Sequence, residues 1–279
     1  MGNTEMAVKA GLMGAQEAGA QVVMLRLTDY DIEPCRGCMS CVFKREACPI
    51  QDQAHQIYET LLDYDGLIMG VPTYILGPTG PLKTLLDRGM GFMYGYGRML
   101  EGRPAISIAT AGIPGWEPYA LPLNSLFLRA LGYTIVDQFM VYGQGPGEAI
   151  YHQEALKRAK DRGRAIVEQI SQGRMVYLGE ELPYSCPYCH NHLLLFIGGL
   201  SVQCPNCGIV GKINTTNGQL LVDWGDLPDR WVRKEVVRHF EHQVLPSGPR
   251  FMDKRREIRE KTAVYRQFSV SGPERRERS

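Results

Sequence analysis

Gly66-Leu-Ile-Met-Gly-Val71 is an apolar run with no polar interruption. A strand with one face in water alternates apolar and polar residues. A strand covered on both faces need not, and that is the situation of a parallel strand held between two layers of helix. Ala105-Ile-Ser-Ile-Ala109 reads the same way, and residues 21–27 (Gln-Val-Val-Met-Leu-Arg-Leu) and 134–142 supply two more candidate strands. The stretches between them carry helical spacing. Met6, Ala10 and Met13 share a face within residues 4–19, and Ala54, Ile57, Tyr58, Leu61 and Leu62 share one within 51–64. Further helices are expected over 81–88, 119–131 and 152–172. Strands alternating with helices predict a doubly wound parallel α/β sheet over residues 1–175. Ligands of such sheets bind beyond the carboxyl ends of the strands, so the loops after Val71 and Ala109 are the candidate site.

The chain has 279 residues, 44% hydrophobic and 22% charged, with a formal net charge of +1. That balance is ordinary for a water-exposed globular protein and supplies no field toward nucleic acid. No run approaches the ~20 apolar residues of a membrane span, and no secretory signal precedes the first helix. No nucleic-acid or membrane partner is therefore expected, and a cytoplasmic location is the default. From residue 177 the character changes. Residues 176–225 read as a small β-rich module, and residues 226–279 as a helical segment followed by a tail. The last thirty residues hold ten Lys or Arg against five Asp or Glu, which reads as a solvated, mobile tail.

Eight cysteines fall into two groups of four with none left over. The first is Cys35-Arg-Gly-Cys38-Met-Ser-Cys41-Val-Phe-Lys-Arg-Glu-Ala-Cys48-Pro49. Three cysteines at intervals of three let one short loop wrap an inorganic centre, and a fourth closes the set. Compact ferredoxin runs use the same logic, including the proline after the last cysteine. Thiolates are soft donors suited to iron–sulfur clusters. A [4Fe–4S] cluster is the first reading; structural zinc and reduced, redox-active thiols are the alternatives. The second group, Cys186-Pro-Tyr-Cys189 and Cys204-Pro-Asn-Cys207-Gly208, is a pair of knuckles fourteen residues apart. Two turns each presenting two thiolates match a four-cysteine zinc ribbon, with a rubredoxin-like single iron as the alternative. A module this small is expected to depend on its metal for folding. His190 and His192 beside it read as surface residues, as does His55 on the helix after the first group.

A cysteine loop directly after the second strand of such a sheet resembles the iron–sulfur flavoproteins of the NADPH-dependent FMN reductase superfamily. Other stretches agree: Gly2-Asn3-Thr4 with the end of a phosphate loop, Cys48-Pro-Ile-Gln-Asp52 with the link into the next helix, and Gly70-Val-Pro72-Thr-Tyr74 with the flavin-ring loop. Leu82-Lys83 and Asp87-Arg88 match the helix that follows, and Thr110-Ala111-Gly112 with Gly115 a second ring loop. The resemblance covers residues 2–150. It implies a flavodoxin-like fold and FMN, with Asn3 and Thr4 at the phosphate. It sets Pro72, Thr73, Tyr74, Ile75, Leu76 and Gly77 along the ring, and Thr110, Ala111, Gly112 and Gly115 at its other edge, with Trp116 near it. A threonine at a helix start independently suits anion binding by free amides and the helix dipole.

Family members open with an apolar strand ahead of the phosphate loop, at the centre of the sheet. Here Met1 abuts Gly2-Asn3-Thr4, so the given sequence is expected to lack its natural N-terminus and, with it, that first strand. The resemblance further implies a redox donor or acceptor (protein or small molecule, NAD(P)H among the donors) and a homo-oligomer. The expected activity joins two-electron donors to one-electron acceptors, with no side chain needed as acid or base and no catalytic residue named. An NAD(P)H-dependent FMN or quinone reductase without a cluster is the alternative. A non-enzymatic ribbon that binds a partner is a further one.

Overall fold

The computed structural model describes residues 1–45, 48–95, 100–226 and 228–268. Residues 1–237 form one compact unit and residues 238–279 a second. The first begins with α1 (Asn3–Glu17), then α2 (Ser40–Phe43), α3 (Ala54–Leu62), β1 (Leu67–Tyr74), β2 (Gly77–Pro78), α4 (Gly80–Arg88) and α5 (Met90–Gly95). It continues through β3 (Pro104–Ala111), α6 (Ala120–Ala130), β4 (Thr134–Tyr142) and α7 (Gln153–Gln172).

The apolar runs are the parallel core. β1 pairs with β3 from Leu67↔Ala105 to Pro72↔Thr110, and β3 with β4 from Pro104↔Thr134 to Ala111↔Tyr142, with an irregularity at Ala105/Ile106. All eight residues of β3 are buried. Ile106 and Ile108 point into a core with Ala7 of α1 and Ala159 and Ile166 of α7, while Ala105 joins a second core with Leu82, Leu85, Phe127 and Leu128. α1 and α7 approach backbone to backbone. A methyl at Gly14 would collide with the Lys160 carbonyl, and one at Gly163 with the Gly11 carbonyl, so only glycine fits at either position.

The expected strand at 21–27 is a correction. Residues 21–26 run without ladder hydrogen bonds and end in a single 3-10 turn at Leu27–Asp29. The sheet order is β2-β1-β3-β4, and β2 covers β1 only at Thr73 and Tyr74. Between the rest of that flank and residues 20–25 lies an apolar cavity of about 540 Å³ lined by Leu12, Val22, Leu61, Leu67 and Ile68. An extended segment needs a neighbour to complete its backbone hydrogen bonds. Among the described residues none stands between 21–27 and β1.

The β-rich module is a four-stranded antiparallel sheet, β5 (Leu195–Gly198), β6 (Ser201–Gln203), β7 (Val210–Thr216) and β8 (Gln219–Trp224), in sequential order. It docks on the α6 side of the parallel sheet: Ile209 and the four ribbon cysteines belong to the same core as Phe127 and Leu131. Arg129 on α6 pairs with fully buried Asp229 at 2.5 Å and donates to the Tyr133 carbonyl at 2.6 Å. Asn206 donates to the Pro122 carbonyl at 2.6 Å, and Trp231 Nε1 to the Asn206 carbonyl at 2.8 Å.

α8 (Arg233–His239) crosses the division between units. In the second unit a π-helical turn over Phe240–Val244 leads to α9 (Ser247–Lys261) and α10 (Ala263–Gln267). The expected mobile tail is thus helical as far as Gln267. Its charges pair along the helix, Arg256 with Glu260 and Lys261 with Glu257, which supports helix in a segment without buried residues. The remainder of the expected tail, 269–279, lies outside the described residues.

Candidate functional site

A cavity of about 730 Å³ opens at the carboxyl ends of β1 and β3. Asn3, Thr4, Pro72, Thr73, Tyr74, Thr110, Ala111 and Gly112 line it together, although they come from three parts of the chain. Ile75, Leu76, Gly77 and Gly115 are outside the lining, as is Trp116, which is exposed. Met24, Leu25, Ile57 and Leu61 extend the cavity toward the unfilled flank of β1.

One end of the cavity is the N-terminus of α1. Gly2 has extended backbone there and no side chain caps the first amides, so they point at the cavity with the positive end of the helix dipole behind them. That arrangement suits a phosphate. Thr4 Oγ1 lies 2.5 Å from Thr110 Oγ1. The Asn3 side chain is engaged elsewhere: Nδ2 donates to the carbonyls of Gly143 and Gly145 at 2.9 and 3.0 Å, and Oδ1 accepts the Ala149 amide at 2.9 Å. Asn3 therefore clamps the loop after β4 against the helix start, and the anion is left to backbone amides and hydroxyls.

At the other end Ile75 and Leu76 form the turn between β1 and β2 with φ of +49° and +70°. A two-residue hairpin of type I′ needs positive φ at both positions, and Asn-Gly is its ordinary sequence. A β-branched residue there is strained, a condition that clusters at ligand-gripping segments. Ile75 is 95% exposed, and Tyr74, Ile113 and Trp116 are exposed around it, so the mouth of the cavity carries an apolar rim.

The cysteine loop meets the far end of α4, at Arg88. Cys35 and Cys38 are exposed, and Cys41 and Cys48 half-buried. Each sulfur faces a donor. The Gly37 amide is 3.4 Å from Cys35 Sγ, and Arg88 Nη2 is 3.4 Å from Cys48 Sγ. Hydrogen bonds from the Ser40 amide and hydroxyl hold the Cys38 thiol below its ordinary range. Burial, then the neighbouring Cys48 and Cys38, pushes the Cys41 thiol up against a hydrogen bond from the Gly91 backbone. A Cβ on Gly91 would stand 2.8 Å from Cys41 Cβ, so glycine is what lets that backbone reach the sulfur. Among the described residues only the ribbon cysteines gather as a set that could hold a single ion.

The ribbon is the reverse. Cys186, Cys189, Cys204 and Cys207 are fully buried, with all four sulfurs within 4.8 Å of one another, a donor set that fits one tetrahedral ion. Hydrogen bonding to Cys186 and Cys204 and then burial push the Cys189 thiol up, a penalty that a bound cation removes. His192 is exposed as expected, but His190 is not: it is 6% exposed and stacked on Tyr177 at 3.4 Å between ring centres. Burial pushes its imidazole down to about 4. The ring is drawn inside because the module packs against the segment after α7, and a motif reading has no access to that docking. His55 is exposed and pairs with Glu59 at 3.1 Å.

Two residues that the sequence shows only as matches to a motif meet beside this loop. Arg88 and Asp52 form a buried pair under the cysteine loop. Their signal was position: Leu82 and Leu85 mark the buried face of α4, and Arg88 is the next residue at the same spacing.

A flavodoxin-like sheet with an anion cradle at one end of its crevice and a ring-sized apolar slot at the other defines a flavin-dependent oxidoreductase. The family model described as NADPH-dependent FMN reductase matches residues 1–144. An iron–sulfur flavoprotein of Methanocaldococcus jannaschii is 32% identical over 174 residues, 62% of this chain and 84% of that protein. The chain belongs to the NADPH-dependent FMN reductase family, within its iron–sulfur flavoproteins. A flavone synthase of Aspergillus candidus is 29% identical over 245 residues, 76% of this chain and 74% of that protein. A solved structure described as a flavone reductase has the same fold, with a TM-score of 0.79 at 19% identity over 98% of this chain and 96% of its own.

Proposed function

We propose that this FMN-dependent oxidoreductase carries a [4Fe–4S] cluster on Cys35, Cys38, Cys41 and Cys48, and that zinc occupies the ribbon. The observation that carries the reading is that every sulfur of this partly exposed loop faces an N–H or O–H donor. Such donors stabilise thiolate and cluster sulfur. FMN would take an electron pair from a donor such as NAD(P)H, and the cluster would deliver electrons singly to an acceptor.

The chain's own residues hold, orient and exclude. Amides at the start of α1, with Thr4 and Thr110, hold the phosphate, and Asn3 keeps the loop after β4 closed on it. Pro72 to Tyr74 and Ala111 to Gly112 flank the ring. α4 connects the two centres: the Thr79 amide at its start donates to the Pro72 carbonyl, and Arg88 at its end meets Cys48. Nine residues of helix make that link about 13 Å long. The exposed rim of Tyr74, Ile75 and Trp116 supports cover by a second copy of the chain. Paired thiolate sites favour a reducing, cytoplasmic setting, and the near-zero net charge weighs against a nucleic-acid partner.

A second reading concerns the substrate. The relative named for flavone synthesis aligns over more of the chain than the family model does. The same apolar rim suits a flat oxygenated aromatic that exchanges an electron pair and protons with FMN. The test is full-length protein purified without oxygen and assayed for flavin, iron, acid-labile sulfide and zinc. Flavin with equal iron and sulfide is expected. Flavin without sulfide replaces the proposal with the cluster-free reductase, and zinc without either leaves only a binding module. Bleaching of the flavin by NAD(P)H, followed by recolouring with a flavone but not a quinone, selects the second reading.

A further inference from the structure

Beneath the cysteine loop lies an ion pair with almost no access to water. The side chains of Arg88 and Asp52 are 2% and 3% exposed. Arg88 Nη1 donates to the Glu33 carbonyl at 2.8 Å and to Asp52 Oδ2; Nη2 donates to Asp52 Oδ1 at 2.9 Å and to Cys48 Sγ at 3.4 Å. Asp52 in turn accepts the Glu33 amide at 2.8 Å and the Ala54 amide at 3.1 Å. One guanidinium fork thus grips the residue that leads into Cys35, the last cysteine of the loop, and the carboxylate that opens α3.

Stability is a poor reason for such an arrangement. Two buried charges lose hydration that their attraction often fails to return, and apolar side chains of the same volume would pack the site as well. What an apolar pair could not do is aim a positive N–H at a sulfur. Buried charge is weakly screened, so its field at Cys48 persists at ordinary salt. Reducing an iron–sulfur centre adds negative charge, and a cationic donor on a ligand sulfur favours that reduced state. Asp52 offsets part of the positive charge and fixes where the rest points. Arg88 also ends the helix whose first residues meet the ring loop, so the group that acts on Cys48 is rigidly tied to the flavin cavity.

We infer that Arg88 is a positioning residue that raises the reduction potential of the loop's iron–sulfur centre through its contact with Cys48, and so biases electron flow from flavin to cluster. This rests on the reading of the loop as a cluster site. The test is a redox titration of the full chain, purified without oxygen, with the cluster followed by electron paramagnetic resonance and the flavin by absorbance. In Arg88→Gln the one-electron equilibrium of the cluster should shift about tenfold toward the oxidised form, about 59 mV, at an unchanged flavin potential. Arg88→Lys keeps the charge opposite Asp52 but cannot fork to Cys48 as well. It guards against a folding failure of the glutamine variant and should shift the equilibrium in the same direction by less. A wild-type cluster potential in cluster-bearing variants overturns the inference. So does loss of the cluster from both variants when they remain folded, which would make Arg88 a structural clamp only. Wild-type protein with flavin and no acid-labile sulfide overturns instead the reading beneath it, and the inference with it.

Discussion

In the ribbon, four fully buried sulfurs converge within 4.8 Å; in the loop, two of four cysteines are exposed, and each sulfur faces a donor. The ligand is the same and the surroundings differ. Full burial makes thiolates costly until an ion neutralises them, even with the Cys207 amide 3.4 Å from Cys204 Sγ, so a metal in the ribbon would be coupled to the ribbon's fold. Donors at partly exposed sulfur permit charge to come and go, which suits a centre that changes oxidation state. Spacing along the chain marks both tetrads as candidate metal sites; only the burial and the groups around the sulfurs set the two apart.

The sharpest way to break this contrast is to remove one thiolate from each site. Cys204→Ser should leave the ribbon without metal and lower the melting temperature by about 10 °C or more, taking about 2–4 °C per kcal/mol. Calorimetry with metal analysis checks it. A ribbon that keeps its melting temperature without metal would make its docking, not its ion, the source of order. Arg129→Met addresses that docking. It strands Asp229 as a buried unpaired carboxylate and should cost about 3–5 kcal/mol in urea unfolding, with much of the loss recovered in the double variant with Asp229→Leu.

Acid distinguishes the sites more gently. Burial pushes the Asp52 carboxyl up, but hydrogen bonds from Arg88 and from the Glu33 and Ala54 amides prevail and hold it below the ordinary range. Its folded value is lower than its unfolded value, so its stabilisation is complete above the unfolded value of about 4 and is lost as the pH falls through the folded value. Urea midpoints compared at about pH 6 and about pH 3 should fall with acid in the wild type and fall less in Asp52→Asn. The smallest effect on stability belongs to Cys38→Ser, at an exposed position: within about 0.5 kcal/mol of wild type, yet with the iron–sulfur absorbance gone and the ribbon metal retained.

Much of this was legible in advance. Apolar runs placed β1 and β3 because strands covered on both faces leave that mark, the alternation with helices placed β4, and cysteine spacing located both tetrads. What was hidden depends on neighbours far along the chain. Residues 21–27 have strand-like composition, but composition cannot supply a partner for their backbone. His190 looked like a surface residue because its burial comes from Tyr177. The helix at 247–261 was masked by its charges, which its own turns pair at a separation of four. Arg88 and Asp52 were in view as matches to a motif, but their meeting under Cys48 depends on how α4 packs.

The glycine contact between α1 and α7 gives the molecule a remote adjustment. Gly11 and Gly14 lie roughly 15 Å along α1 from its first amides, and the height of that helix above the sheet is fixed where carbonyls of each helix rest on glycines of the other. A single methyl at Gly163 would act as a shim, tilting the far end of the rod. Evolution or an engineer could thereby loosen the hold on a phosphate without altering any atom that touches it.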